Sequence, residues 1–397
     1  MRISTGQFIQ QGISQILAQQ QRLAETQEQL ATGRRVVRPS DDPAAATRAL
    51  TLRESISTLQ QYDDNINLVT SRLQIEEAAL ISAGDFLQRA RELAIQANNA
   101  TQTNETRAGI VVELQGIVEG LLSAANTRDS NNEYIFAGFR TSAPPFVTTG
   151  NGFSYIGDQG VREVQIGASR QVAIGDSGAA VFFDIANGNG TFATSASATN
   201  TGNGVIDNGS VTDISSYIAD TYTVTFTTAS AYEVTNSSGA TVATGTQANG
   251  QSIEFLGIQA VVTGQPATGD TFTFAPSTSQ DVFTTIQNLV NSLNATVTDP
   301  SSQADINNGV NAALANIDQA LDNILLTRSS IGTRLNAVDD QTNLNGIFQL
   351  EAQTSLSGIE DIDIAEVISR FNQQLVSLQA AQQAFVQVQR LSLLNFL

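Results

Sequence analysis

The sequence predicts an α+β protein in which long antiparallel coiled-coil helices from both chain ends flank an inserted antiparallel β domain. Two observations lead to this fold class. Apolar residues recur with heptad spacing in both flanks, whereas the centre alternates apolar and polar residues with period two. In addition, 19 of the 30 Gly lie between Gly138 and Gly269, which concentrates turns in the centre.

The N-terminal flank carries an apolar seam that continues for more than five heptads. One row of the seam is Leu59, Ile66, Leu73, Leu80, Leu87 and Ala94, and the other is Tyr62, Val69, Ala83, Ala90 and Ala97. Only Glu76 interrupts it. The pattern predicts a helix from Pro43 to about Asn98, roughly 80 Å long at 1.5 Å per residue.

The start of this helix is marked by Ser40, Asp41, Asp42 and Pro43. Ser and Asp are preferred at the N-cap, carboxylates interact favourably with the helix dipole, and proline suits the first turn. Adjacent carboxylates can also ligate a cation, but capping explains this order of residues better. We therefore predict a helix cap.

The C-terminal flank repeats the heptad pattern. Its seam is formed by Val310, Ile317, Ile324, Ile331 and Val338, with Leu314, Leu321, Arg328 and Leu335 each following by four. The two long helices would bury their apolar faces against each other, with the β domain inserted between them in sequence. Shorter helices are predicted at Glu105–Arg128 and Val282–Leu293.

The chain termini carry a weaker apolar stripe. Gln20, Gln27 and Gln382 occupy positions where the repeat calls for apolar residues. One interpretation is an ordinary helix pair; we favour helices that stay mobile in the monomer and order when many copies pack together. The candidate assembly residues are Ile9, Ile13, Ile16, Leu23, Leu30, Ile368, Phe371, Leu375, Leu378 and Phe385.

The centre alternates Tyr222, Val224 and Phe226 with threonines, and Thr271–Phe274 repeats this pattern. Further strands are predicted at Val161–Ile166, Val181–Ile185, Tyr232–Val234, Ile253–Phe255 and Ile258–Val262. The segment Asn187–Ser210 is rich in Gly, Asn, Ser and Thr, so we expect an exposed loop there. Its Asp and Asn residues lack the spacing of a calcium loop.

Composition excludes several kinds of chemistry. The chain has no His and no Cys, and all 19 basic residues are Arg. Catalytic triads with His or Cys, thiolate or imidazole zinc sites and disulfides are therefore impossible, and we expect no cofactor and no metal. The net charge of −19 disfavours nucleic acid and anionic membranes as partners. We also expect no cleaved signal peptide and no membrane insertion.

Arg34, Arg35 and Arg38 form the densest basic cluster of this acidic chain. Such a cluster is either a solvated face or a contact with an acidic surface on a neighbouring copy, and both interpretations stay open here.

Several motifs resemble the flagellin superfamily, and their details are similar to its hook-associated proteins at the hook–filament junction. The resemblance covers about residues 1–146 and 281–397 and does not extend to the centre. It rests on Met1–Thr5, Gly33–Pro43, Asn132–Phe139 with Pro144–Phe146, Ile331–Leu335 and Leu391–Leu397.

This resemblance implies a non-enzymatic structural subunit of the bacterial flagellum, secreted unfolded by type III export. It would dock on the preceding hook-associated protein, form a ring with copies of itself, and present the surface on which flagellin polymerises. An export chaperone would hold its C-terminal helix.

The predicted domains are terminal assembly helices (1–40 with 364–397), a coiled-coil middle domain (41–140 with 281–363) and a variable outer β domain (141–280). Two alternatives remain: filament flagellin, and a surface protein that binds or cleaves glycans through the β domain.

Overall fold

The computed structural model describes residues 5–99, 101–150 and 152–394. The chain forms two compact units. The terminal unit comprises Met1–Asp64 and Asp340–Leu397, and the central unit comprises Asn65–Asp339. The motif residues Met1–Ser4 and Asn395–Leu397 lie outside the described residues.

Helices dominate both flanks and strands dominate the centre, which confirms the predicted fold class. The long helix predicted from Pro43 ends within one residue of its predicted end, and Val282–Leu293 has the predicted bounds. The α-helices are α1 (Thr5–Thr32), α2 (Pro43–Ala97), α3 (Asn104–Ala125), α4 (Val282–Leu293), α5 (Pro300–Glu360) and α6 (Ile364–Leu394).

Within the central unit, α2 and α5 run antiparallel. They bury the predicted rows of α2 and one row of α5, whereas the second row of α5 is half-buried: Leu314, Leu321, Arg328 and Leu335. Arg91 Nε lies 2.7 Å from Asp318 Oδ1, and Arg328 Nη2 lies 2.8 Å from Glu77 Oε1, which fixes the register. Each fully buried Leu, Ile or Val contributes about 1.5–3 kcal/mol relative to an exposed one. The buried seam consists of Ile66, Val69, Leu73, Leu80, Ala83, Leu87, Ala90, Ala94, Ala97, Val310, Ile317, Ile324, Ile331 and Val338.

Helices α3 and α4 pack beside this seam. A capping box starts α3, in which Thr103 Oγ1 accepts the Thr106 N–H at 3.2 Å. Asp281 Oδ1 accepts the Thr284 N–H at the start of α4. By length and composition alone α3 could cross a membrane. Its apolar face, including Leu114 and Leu121, is instead buried in the core.

The strands pair antiparallel throughout the described residues. They are β1 (Phe146–Thr149), β2 (Gly152–Tyr155), β3 (Glu163–Gly167), β4 (Arg170–Ala173), β5 (Ile185–Ala186), β6 (Phe192–Ala196), β7 (Val205–Ile206), β8 (Ser210–Val211), β9 (Tyr222–Phe226), β10 (Ala231–Thr235), β11 (Thr241–Thr246), β12 (Ser252–Phe255), β13 (Ile258–Thr263), β14 (Thr271–Pro276) and β15 (Ser279–Gln280).

Two sheets share one apolar core. One sheet has the order β11-β10-β9-β14-β6, and in the other β13 pairs with β12, β7 and β8. Alternate residues of β9 and β14 point into this core. There the rings of Phe226 and Phe272 meet edge-on, with 5.9 Å between the ring centres. The residues from β6 to β14, Phe192–Pro276, therefore have a core of their own.

The strands before β6 belong instead to the core of the helices. The ring of Phe146 on β1 packs edge-on to the ring of Phe182, with 5.7 Å between the ring centres. The centre of the Phe283 ring on α4 lies 5.4 Å from that of Phe146. Consequently the hairpins β1–β2 and β3–β4 extend the helical core rather than the two-sheet core.

Two local expectations were wrong. The strand predicted at Val181–Ile185 is mostly a π-helix, Ala179–Phe183, followed by β5. Its apolar run reflects burial against Phe136 and Phe146, which suits a helical turn as well as a strand. The loop expected at Asn187–Ser210 contains β6 and β7, because Phe192 and Ile206 are buried in the core between the sheets.

Glu76, the residue that interrupts the α2 seam, is buried in a charged cluster. Its Oε1 accepts the Asp176 N–H at 2.9 Å, and Asp176 Oδ1 accepts from Arg334 Nη2 at 2.7 Å. Within the described part of the chain, Glu76 Oε2, Asp176 Oδ2 and Arg334 Nη1 are buried without a hydrogen-bond partner. Burial, together with the charge of Asp176, raises the pKa of Glu76 to about 8.

We predict that Glu76→Gln stabilises the central unit above pH 8. The folded chain holds the Glu76 proton more tightly than the unfolded chain, whose pKa is the ordinary 4.5. The free energy of unfolding of the natural chain therefore falls as the pH rises from about 4.5 to about 8. Glutamine keeps the acceptor without the charge, so we expect a gain on the order of 1–3 kcal/mol at pH 9 and little change below pH 4.5.

Urea unfolding followed by circular dichroism across this pH range measures the effect. Glu163→Gln is the matched control, because it removes the same charge from an exposed position on β3. Equal pH dependence of the Glu76→Gln variant and the natural chain would contradict the prediction.

Candidate assembly surface

Helices α1 and α6 pair antiparallel in the terminal unit. A Cβ atom on Gly12 would lie 2.9 Å from a ring carbon of Phe385, so glycine permits this close approach. At the other end of the pair, the Ile362 N–H donates to the Gly33 carbonyl at 3.2 Å.

The residues of α1 that face α6 differ in part from the predicted stripe. The most enclosed of these residues is Thr26, which is buried. The half-buried positions are Ile9, Gly12, Ile16, Gln19, Leu23 and Leu30. Ile13 is exposed together with Gln20 and Gln27. The half-buried stripe thus runs from Ile9 through Gly12 and Ile16, and the predicted members Ile13, Gln20 and Gln27 lie outside it. Its polar members are consequently Gln19 and Thr26.

On α6 the candidate residues are also divided. Leu378 is buried, and Phe371, Leu375 and Phe385 are half-buried, whereas Ile368 is exposed. Gln374 Oε1 is buried without a hydrogen-bond partner in the described part of the chain. A polar atom in this state weakens the pair, because it has lost water without gaining a donor.

Helices α1 and α6 bury little of their apolar surface. Among their described side chains only Thr26, Val367 and Leu378 are buried. An exposed apolar side chain on such a pair is available to another molecule. The large apolar residues left exposed are Ile13, Leu17, Ile364, Ile368, Val376 and Val386.

The segment between α1 and α2 is tied to the turn between α5 and α6. Gly33 has a φ of 70°, and the Arg35 N–H donates to the Glu360 carbonyl at 2.6 Å. Arg35 Nε and Nη2 donate to the Ile359 carbonyl at 3.1 and 2.9 Å. These bonds bring the basic cluster beside the acidic segment Glu360–Asp363, in which three of the four residues are carboxylates.

The residues expected to cap α2 act at different positions. Asp42 Oδ1 accepts the Ala45 N–H at 3.0 Å from the position before Pro43, which is N-cap geometry. Asp41 Oδ2 accepts the Arg38 N–H at 2.8 Å and so supports the preceding turn. Ser40 Oγ lies 3.4 Å from Asp41 Oδ1.

A groove of about 430 Å³ lies beside this segment. Three arginines and one carboxylate are among the residues that line it: Arg34, Arg38, Arg53 and Glu360. Arg38 Nη2 lies 3.2 Å from Glu28 Oε2 and Arg53 Nη2 lies 2.6 Å from Glu360 Oε1, whereas Arg34 makes no ion pair with any described residue. The apolar lining is Val36, Val37, Pro39, Pro43, Ala46, Ala49 and Leu50.

Leu50, Arg53 and Glu360 complete this groove and were not among the site residues predicted from the sequence. Arg53 and Glu360 come together only because α2 and the end of α5 are antiparallel neighbours in the terminal unit. The antiparallel pairing predicted from the heptads was the available signal.

We predict that Asp42→Ala frays the first turn of α2. The substitution leaves the Ala45 N–H without its acceptor, and losing an N-cap costs about 1 kcal/mol. Faster amide exchange near residues 45–48 would report the loss. Asp42→Asn is the control because asparagine also caps helices; exchange in Asp42→Ala as slow as in this control would contradict the prediction.

Comparison with known protein families identifies all three parts of the chain. Residues 2–141 match the bacterial flagellin N-terminal helical region, and residues 314–397 match the flagellin C-terminal helical region. Residues 195–276 match the D2-like domain of flagellar hook-associated protein 1. The centre, for which the sequence analysis found no resemblance, thus matches a domain of another hook-associated protein.

Individual relatives of this chain are also flagellar hook-associated proteins. Flagellar hook-associated protein 3 of Escherichia coli K12 is 27% identical over 393 residues, spanning 99% of this chain and 98% of the relative. FlgL of Xanthomonas campestris is 33% identical with a TM-score of 0.73, covering 77% of this chain and 99% of that one. Hook-associated protein 3 of Legionella pneumophila is 32% identical with a TM-score of 0.75, covering 78% and 98%.

Paired terminal helices, an inserted β domain and relatives matched over nearly their whole length lead to one conclusion. The chain belongs to the FlgL (hook-associated protein 3) family, the structural proteins of the flagellar hook–filament junction.

Proposed function

We propose that this chain joins the hook to the filament as a ring of copies that pack through α1 and α6. The observation that carries the proposal is the poor burial of these two helices. Ile13, Leu17, Ile364, Ile368, Val376 and Val386 are all exposed in a single chain. Each would contribute on the order of 1.5–3 kcal/mol if neighbouring copies fully covered it.

The same poor burial argues for a monomer that does not assemble early. Ordering a residue costs about 1–2 kcal/mol, and α1 and α6 offer few buried side chains to offset this cost. We therefore propose that these helices are mobile in the isolated chain and order when copies pack. Amide exchange of the dilute monomer, with both helices protected, would overturn this part of the proposal.

We also propose how the chain reaches the ring and which flagellar proteins it contacts there. The chain would be secreted without a cleaved signal, with an export chaperone on α6, and would dock on the preceding hook-associated protein. Flagellin would then polymerise on its other side. Residues 1–40 with 364–397 would assemble, 41–140 with 281–363 would form the coiled-coil middle domain, and 141–280 would face outwards.

We also propose that the chain has no enzymatic activity, because its relatives are structural flagellar proteins. Filament flagellin was the alternative left open by the sequence, and the FlgL relatives favour the junction protein. The two are distinguished by whether the purified protein forms long filaments or only caps isolated hooks.

We predict that deleting residues 1–34 or 364–397 abolishes incorporation at the hook tip. Either deletion removes one member of the α1–α6 pair and leaves the core of the central unit intact. Motility, and recovery of the variant with isolated hooks, should both be lost, while circular dichroism shows the remaining helices folded. A deletion variant that restores motility would refute the assembly role.

A second prediction separates the junction role from a glycan-binding role. Asn187 and Thr278 exchange two hydrogen bonds. The Asn187 N–H donates to the Thr278 carbonyl at 3.0 Å, and the Thr278 N–H donates to the side-chain oxygen Asn187 Oδ1 at 2.9 Å. Residues 188–277 can therefore be replaced by a short Gly-rich turn, which removes only the hydrogen bonds that Asn308, Asn311 and Asn316 of α5 make to residues 188–206 and leaves the apolar core of the helices in place. The wider excision of 138–276 would remove Phe146 and Phe182 from the helical core.

We expect the shortened chain to support motility to within about twofold of the natural chain. If motility is retained while binding to surface glycans is lost, the β domain has an additional role. If motility is lost although the shortened chain is folded, the junction role does not reside in the helices alone.

A further inference from the structure

A row of asparagine side chains on α5 contacts the two-sheet domain, residues 188–277. Asn308 Oδ1 accepts the Ile206 N–H at 2.8 Å, and Asn308 Nδ2 donates to the Gly204 carbonyl at 3.2 Å. Asn311 Nδ2 donates to the Ile206 carbonyl at 3.0 Å. All three hydrogen bonds end on backbone atoms of the domain. Together with Asn316, these two asparagines form what we call the amide row.

The amide row completes the outer edge of β7. The backbone groups of successive strand residues point to opposite sides, and those of Asp207 face β13, where its N–H donates to the Val261 carbonyl at 3.0 Å. The backbone groups of Gly204 and Ile206 therefore point away from β13, towards α5. A strand edge without a neighbour leaves N–H and C=O groups that need partners. Two asparagine side chains thus take the place that a neighbouring strand would occupy.

The amide row also holds the point where the chain enters the domain. Asn316 Oδ1 accepts the Gly188 N–H at 2.7 Å, next to Asn187, which pairs with Thr278 at the base of the domain. Asn308 and Asn316 are eight residues apart on α5, which is about 12 Å along a helix. Contacts this far apart restrain the rotation of the domain as well as its distance from α5.

Within the described part of the chain, neither a shared apolar core nor an ion pair fixes the domain on α5. The buried residues of the two-sheet core and those of the helical core form separate clusters. Residues 188–277 contain six carboxylates and no Arg, and α5 has no Arg before Arg328, so these two parts cannot form an ion pair. Neutral amides suit such a contact, because each supplies donors and an acceptor without adding charge.

We propose that the amide row is a rigid mount, which recognises the edge of β7 and holds the two-sheet domain in one orientation on α5. The hydrogen bonds between Asn187 and Thr278 tether the two ends of the domain, and the amide row prevents rotation about this tether. The mount lies within a single chain, so it goes beyond the proposed function and does not rest on it. In a ring, every copy would present its two-sheet domain at the same angle.

Double electron–electron resonance between two spin labels in the full-length monomer tests the mount. The chain has no native Cys, so Leu326→Cys on α5 and Ala240→Cys between β10 and β11 introduce the labelling sites. Both positions are exposed. We expect one narrow distance distribution with the natural amide row. Combining Asn308→Ala with Asn316→Ala removes three hydrogen bonds of the row and should broaden the distribution about twofold or more.

The matched control combines Asn291→Ala with Asn336→Ala, which removes two exposed asparagines from α4 and α5. We expect this control to keep the narrow distribution. Thermal melts followed by circular dichroism confirm that each variant is folded before the widths are compared. An unchanged width in the amide-row variant would overturn the mount, as would a broad distribution in the chain that keeps all its asparagines.

Amide exchange gives a second readout of the same contact. In the amide-row variant the Ile206 N–H should exchange about tenfold faster or more than in the natural chain, because its acceptor has been removed. The control variant should exchange at the natural rate.

Two combinations of these measurements also overturn the mount. Unchanged exchange at Ile206 would show that its hydrogen bond to Asn308 is not made in solution. Faster exchange with a distance distribution that stays narrow would show that the tether alone sets the orientation. The ring assembly would stand in either case, since the deletions of residues 1–34 and 364–397 test it separately.

Discussion

Burial of the heptad seam between α2 and α5 is the interaction on which the central unit depends. Five residues of α5, from Val310 to Val338, are at most 2% exposed, and their partners on α2 are equally enclosed. Helices α3 and α4 and the first two hairpins add their apolar faces to this core. The seam can therefore accommodate one costly residue, the buried Glu76, whose raised pKa reflects that cost.

The terminal unit, in contrast, buries few of its apolar side chains. Its α1–α6 pair contains a glycine against an aromatic ring, a buried amide oxygen without a donor, and several exposed isoleucines and valines. Hydrogen bonds of the backbone, particularly those from Arg35 and to Gly33, hold the link between α1 and α2 to the turn before α6. This contrast in burial is the basis of our proposal that the terminal unit gains its stability from neighbouring copies.

Much of this architecture follows from the sequence because heptad spacing is a long-range signal. Repeated over 30 or more residues, it specifies helix, buried face and antiparallel partner together. Short apolar runs carry less information, so Val181–Ile185 was assigned to a strand although aromatic packing makes most of it a π-helix. Phe192 and Ile206 were hidden in a Gly- and Asn-rich segment whose local composition is that of a loop. The Arg34 groove could not be read from the sequence, since Leu50, Arg53 and Glu360 meet only after the long helices have paired.

The reciprocal hydrogen bonds between Asn187 and Thr278 have an evolutionary consequence. They close the two ends of the inserted segment on each other, so the domain can be exchanged as one piece, and Asn308, Asn311 and Asn316 of α5, which hydrogen-bond to its first residues, are the positions that must adapt. An inserted domain of this kind can change while the helices that pack together retain a common scaffold. Such a division also offers engineers a site at which foreign domains can be displayed.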